Sequence, residues 1–187
     1  MLVLLITNTI IRGSVYKPET YSLCEKVQEI FELSVKTASL SYEELYAGKI
    51  CAAPDRQHPR DLFDIKLLFE NEGLTEKMRK AFIVYLISHN RPIVELLYPW
   101  LIDISESFEK EFRGITTEDV ALEDLYNERD QLIKEINSSL TLKEKQFLLS
   151  FKSLKPDWLL LESDGIQKLP AVKWKLQNLQ RMDKKKL

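Results

Sequence analysis

From Ser41 onward, helix start and stop signals cut the chain into short segments, and that punctuation restricts it to a set of packed helices. Ser41 followed three residues later by Glu44 is a capping box, which satisfies two orphan backbone donors and marks a helix start. Pro54 is expected to stop that helix, because a proline lacks the N–H and clashes with the preceding turn. Pro59 sits just before the next helix, near 60–71, and Gly73 ends it. A strongly apolar helix follows at 76–88. Pro92 opens another, which Pro99 interrupts. The polar, amphipathic stretch 118–138 predicts a long helix, and Thr141 with Glu144 forms a second capping box. Pro156 and Pro170 punctuate the last two helices.

The first forty residues read differently. Residues 2–11 form an apolar run rich in branched side chains, the pattern of a buried strand, which Arg12-Gly13-Ser14 breaks. Residues 26–37 alternate roughly and predict a second strand. Two strands alone are marginal and need cover. The expected fold class is therefore α+β, with a small sheet over 1–40 and a larger helical lobe over 41–187. A chain of 187 residues can build such a core without disulfides or metals.

Charge and cysteine content narrow the classes further. The net charge of −2 gives no global basic field, so nucleic-acid binding would have to be local. One such place is the tail from Lys173 to Lys186, where Trp174 stands among basic residues; RNA contact and amphipathic packing both fit it. The apolar start is too short for a signal segment, and nothing approaches the ~20 apolar residues of a membrane span. Cys24 and Cys51 lack a C-x-x-C partner and read as small apolar fillers in a reducing, cytoplasmic setting. His58 and His89 have no third spaced ligand, so no metal site is expected. Trp100 and Trp158 are expected in the core or at helix junctions, and 82–86 is expected to pack.

The charged corner between the first two helices carries the chemical interest. It holds Lys49, Arg56, Arg60, Asp61 and Asp64. At about 100° per residue, Lys49 falls between Leu45 and Tyr42, amid apolar neighbours. Asp61 and Asp64 lie one turn apart, also among apolar residues. Burying such groups unpaired costs several kcal/mol, so partners are required. Two readings follow from the residues alone. One is an ion-pair cluster that clamps two helices. The other is a site for a phosphate-bearing ligand, with lysine and arginine on phosphate oxygens and an aspartate accepting a proton, holding a metal or orienting the lysine.

The block Lys49-Ile-Cys-Ala-Ala-Pro-Asp-Arg56 followed by Pro59-Arg60-Asp61-Leu-Phe-Asp64 resembles a motif pair of the AbiEii/AbiGii toxin family. Softer matches run through Asn8–Gly13, His89–Pro92, Glu95–Pro99, Lys155–Trp158 and Leu169–Leu179. The resemblance implies a nucleotidyltransferase-like protein of bacterial abortive-infection and toxin–antitoxin systems, with a polymerase β-like sheet. It implies nucleoside triphosphate and Mg²⁺ as cofactors in complete members, some of which modify tRNA ends, and an antitoxin as partner. Carried over, Lys49 matches the family's nucleotide-contacting lysine, and Asp61 and Asp64 match its last acidic motif. Lys49, Asp61 and Asp64 are then the expected catalytic residues, and Lys49, Arg56 and Arg60 the nucleotide-binding ones.

Such enzymes also use a Gly-Gly/Ser turn for the triphosphate and an Asp-x-Asp strand for two metal ions. The five glycines here are never adjacent, and no Asp-x-Asp occurs. Glu70-Asn-Glu72 and Glu109-Lys-Glu111 have the spacing but lie in helical context. In the family those motifs lie upstream of the first residue here, so the expectation is a shortened member without transferase activity of its own. The alternative is a non-catalytic helical module that binds an antitoxin, another protein or RNA. A sheet lacking its neighbours is expected to self-associate.

Overall fold

The computed structural model describes residues 12–117, 119–163 and 165–183. It is an α+β fold: a two-stranded antiparallel sheet followed by a helical lobe. Strand β1 (Glu19–Ser22) pairs with β2 (Lys36–Ser39) in a register that sets Glu19 opposite Ser39 and Ser22 opposite Lys36. Between them runs helix α1 (Glu25–Phe31).

This corrects the strand expected over 26–37. Val27, Ile30 and Phe31 stand at helical spacing, and a short apolar run can obey either period. Only the end of that stretch, Lys36 and Thr37, lies in a strand. The strand expected at 2–11 lies outside the described residues. Neither strand nor α1 holds a buried residue, and Ile30, Phe31, Leu33 and Val35 are all exposed.

Helices α2 (Tyr42–Arg56), α3 (Pro59–Asn71) and α4 (Glu76–Ser88) form the centre of the lobe. Ala47, Ile50 and Ala53 of α2 meet Met78, Phe82, Ile83 and Leu86 of α4 in a fully buried core. Small residues permit the close approach: a Cβ built on Gly48 would stand 3.3 Å from the Tyr85 ring. Short α5 (Ile93–Leu97) follows. A single turn, α6 (Ser105–Ser107), then widens into a π-helical turn, Phe108–Phe112. Helix α7 (Leu122–Ser139) lies against α3 through Leu125, Leu132 and Ile136. It starts somewhat later than the expected 118–138.

Helix α8 (Leu142–Lys152) begins with the reciprocal capping box expected at Thr141 and Glu144. Glu144 also receives both bonds of the Arg79 Nε at 3.1 Å, tying α8 to α4. After two 3₁₀ turns, Trp158–Leu161 and Ile166–Lys168, helix α9 (Pro170–Asp183) closes the lobe. Trp158 packs on Phe147 and Phe151, as a junction residue should.

Two helix-boundary expectations change. Pro54 sits inside α2 and does not end it. A proline disrupts only the turn before it, and the last turn still closes through the Gln57 N–H on the Ala53 carbonyl at 2.9 Å. Gln57 then takes a left-handed conformation at φ 49°, and that residue makes the corner. At the other end, Ser41 accepts from the Glu44 N–H, but the Glu44 carboxylate does not return the bond. It is fully buried and accepts from Ser14 Oγ at 2.9 Å, Val15 N at 2.9 Å and Tyr16 N at 3.1 Å. Half of the capping box is thereby diverted to hold the chain entering the lobe. Just before that point, Gly13 at φ +85° leaves no room for a Cβ, which would meet Leu169 at 2.8 Å.

Trp100, expected in the core or at a helix junction, lies in the connection between α5 and α6 and is 90% exposed. The backbone of its loop is fixed from below. Gln57 Nε2 donates to the Trp100 carbonyl at 2.7 Å, and Gln57 Oε1 accepts from the Ile102 N–H at 3.1 Å. Arg129 Nη1 donates to the Ile102 carbonyl at 2.7 Å. The loop backbone is held in place while Tyr98, Trp100, Leu101 and Ile102 stay exposed. Among the described residues, no helix is long and apolar enough to cross a membrane.

Candidate functional site

The corner between α2 and α3 is two residues long, so the end of one helix and the start of the other are held side by side. His58 caps α3: its Nδ1 accepts from the Arg60 N–H at 3.2 Å, and its Nε2 lies 3.1 Å from Glu111. Pro59 occupies the first helical position, where its missing N–H costs nothing.

The five charged residues resolve into two ion pairs and one separate arginine. Lys49 Nζ meets Asp64 Oδ2, bridging α2 and α3. Arg56 Nη2 meets Asp61 Oδ1 at 2.5 Å. Arg60 instead donates to the Glu111 carbonyl at 3.2 Å and remains exposed. Lys49 does not lie in the middle of a buried face, as the wheel predicts; its side chain is 40% exposed. A long stem lets the ammonium leave the apolar stripe and reach the carboxylate at its edge.

In both pairs the cation is the more exposed partner. Exposure is 40% against 35% for Lys49 and Asp64, and 61% against 11% for Arg56 and Asp61. Arg56 thus faces solvent above a mostly buried Asp61, while Lys49 and Asp64 are exposed to nearly the same degree. Asp61 Oδ2 is buried and has no hydrogen-bond partner among the described residues. A buried carboxylate with one oxygen unanswered depends on its single cation. Arg56→Ala is thus expected to destabilise the protein by about 1–2 kcal/mol, the cost of an uncompensated buried group moderated by the screening of an exposed arginine. Asp61→Asn, which removes the charge and keeps the shape, should cost less. Thermal unfolding of the two variants checks the order; the reverse order would show that the Asp61 charge stabilises the fold through something besides Arg56.

A cleft of about 600 Å³ opens beside this corner and includes Arg60 and Asp64 in its lining. A neighbouring cleft of about 510 Å³ shares Phe112, Thr116 and Thr117 with it but contains none of the five motif residues. The first cleft is therefore the one relevant to the motif.

For Mg²⁺, the donor chemistry does not fit. Among the described residues no three His, Cys, Asp or Glu side chains come together in a way that could hold a metal ion. Asp61 and Asp64 each face a cation instead. For a triphosphate, the exposed Lys49, Arg56 and Arg60 are the appropriate groups. The Glu70 and Glu72 spacing falls at the far end of α3, away from the corner.

A second charged cluster has no counterpart in the reading of spacing. Asp55 Oδ1 lies 2.5 Å from Arg91 Nε, and Asp55 Oδ2 lies 3.5 Å from His89 Nε2. Burial pushes the His89 imidazole below its ordinary range, with Asp55 opposing and Arg12, Lys175 and Arg91 reinforcing the fall. Lys175 is buried and donates to the carbonyls of Asn90 at 3.1 Å and Arg91 at 3.0 Å, so this residue of the basic tail serves packing. Asp55 follows a proline in a helix expected to have ended, which hid it; the His89–Pro92 segment was the available signal.

Cys51 is buried, and burial pushes its thiol up to about 12, so it is no nucleophile. Cys24, expected as an apolar filler, is exposed.

No curated protein and no solved structure matches the chain. The model of the family described as "Nucleotidyl transferase AbiEii toxin, Type IV TA system" matches residues 6–178. That span includes both ion pairs, the His89 cluster and most of α9, and the chain belongs to this family of nucleotidyltransferase-like toxins.

Proposed function

We propose that the α2–α3 corner is the phosphate-contacting wall of a nucleotide site. The supporting observation is that Lys49, Arg56 and Arg60 all keep solvent access at one helix corner, beside a cleft that Arg60 helps to line. Lys49 and Arg60 take phosphate oxygens, and Arg56 adds positive charge at the same edge. Asp64 orients the Lys49 ammonium, and Asp61 holds Arg56 at the end of α2. A phosphate entering the edge shares these cations with the carboxylates and brings no new buried charge. Membership in a toxin–antitoxin family makes an antitoxin the natural partner.

In its transferase role this wall needs a second one that holds metal ions and the triphosphate turn. The described residues supply no such carboxylate group. This polypeptide by itself therefore binds nucleoside triphosphate without transferring it. Incubation with labelled nucleoside triphosphates, Mg²⁺ and total tRNA should leave RNA and protein unlabelled, while calorimetry detects nucleotide binding. Robust label transfer would overturn the inactive reading, and absence of any nucleotide binding would overturn the site.

A second reading, a non-catalytic module that binds another protein, is favoured by the Trp100 loop. Tyr98, Trp100, Leu101 and Ile102 are exposed together on a backbone held by Gln57 and Arg129. Rigid, exposed aromatic residues are frequent anchors of protein interfaces.

A further inference from the structure

We infer that the cleft beside the corner seats the nucleobase of the bound nucleotide, with Phe63 and Leu67 of α3 as one wall and Phe112 and Ile115 as the other. This rests on the phosphate-wall reading and adds the location and chemistry of the ligand's other end. Arg60 and Asp64 stand four residues apart on α3, as do Phe63 and Leu67, so the cleft side of the helix carries a charged stripe beside an apolar one. A ligand lying across these two stripes must be charged on one side and flat or apolar on the other, which describes a nucleotide.

The opposite wall is independent of α3. It comes from the π-helical turn that ends at Phe112 and from Ile115 just beyond. The Phe63 and Phe112 rings are in tilted contact, 5.5 Å between centroids at 58°, and Phe112 is buried, so this pair closes the floor of the cleft and leaves Phe63 and Ile115 accessible as apolar surface. Phe63 is half-buried, while Ile115 is 57% exposed at the rim. A volume of about 600 Å³ lies within the range of small-molecule sites. An exposed apolar rim next to a charged edge leaves hydrophobic surface in water, and a base inserted there covers it. Stacking on an aromatic wall is tolerant of base identity, so this seat adds affinity for nucleosides in general.

Isothermal titration of the full chain with ATP and with inorganic tripolyphosphate separates the two ends of the ligand. Wild-type protein should bind ATP at least tenfold more tightly than tripolyphosphate. Phe63→Ala should weaken ATP on the order of tenfold and leave tripolyphosphate unchanged. Because Phe63 also packs on Phe112, Ile115→Ser at the exposed rim is the companion variant; it should weaken ATP about threefold, below the effect of a full stacking wall, with no loss of thermal stability. Lys49→Ala should weaken both ligands. If Lys49→Ala weakens both but neither cleft variant affects ATP, the base lies elsewhere and the phosphate wall stands. Equal wild-type affinity for the two ligands also overturns the seat. If wild-type protein binds neither, the phosphate wall falls and the seat falls with it.

Discussion

Glu44→Ala is expected to lower the unfolding temperature by about 6–12 °C, the larger of the stability effects this structure predicts. The carboxylate is fully buried and is the acceptor for Ser14 Oγ and for the Val15 and Tyr16 N–H groups. Truncation removes these three bonds together with the longer one from the Tyr85 hydroxyl at 3.4 Å, and leaves two backbone donors without a partner. Each unsatisfied buried group costs about 1–3 kcal/mol, and partial rehydration of a half-buried segment brings the sum to about 3 kcal/mol. For a chain of this length each kcal/mol corresponds to about 2–4 °C. Ser41 still caps α2 in the variant, because it accepts from the backbone N–H of residue 44. The loss therefore reports on the tether between the segment 14–16 and α2, separately from helix capping. Glu44→Gln retains one acceptor and should fall between the two. A shift below 2 °C in Glu44→Ala, measured by differential scanning calorimetry, would show that water replaces the carboxylate without cost.

Lys49→Ala has the larger expected effect on binding. Loss of one charge-assisted phosphate contact is worth about 1.5–3 kcal/mol, which is roughly 10- to 100-fold in affinity. Stability should barely change. The Lys49–Asp64 pair is 40% and 35% exposed, and screened pairs of this kind contribute about 0–1 kcal/mol. The expected result is a drop in nucleotide affinity of at least tenfold with an unfolding temperature within about 3 °C of wild type. A structural clamp gives the opposite pattern: a clear thermal loss, with no nucleotide affinity in the wild type to begin with. The two readings of the charged corner are thus separated by two measurements on one variant.

Much of the helical lobe is legible because its signals are local. A capping hydroxyl acts within one turn, so Ser41, Thr141 and Pro59 mark helix starts that the structure shares. The apolar helix 76–88 is recognisable because its burial comes from its own composition. Signals fail where a distant group wins. Glu44 has the right spacing for a reciprocal cap, but Ser14, Val15 and Tyr16 offer its carboxylate more bonds than one N–H can. Of the two places expected for Trp100, the core is ruled out because Gln57 and Arg129 hold the backbone of its helix junction at the surface. The helix at 25–31 was hidden because Val27, Ile30 and Phe31 satisfy two periods over so short a run.

For the charged corner, the sequence by itself determined which five side chains gather at one turn. Lys49, Arg56, Arg60, Asp61 and Asp64 lie within a single helix–corner–helix unit, and their spacing resembles a family motif whose family model also spans the corner. Only the tertiary structure decided how they pair and which of them face water. Pairing depends on the crossing of α2 over α3, which sets Lys49 against Asp64 and leaves Arg60 to the Glu111 carbonyl. Exposure depends on what covers each helix, and α4 and α7 cover the faces away from the cations. The cleft walled by Phe112 and Ile115 is likewise a product of packing, because its two walls are some fifty residues apart in the chain.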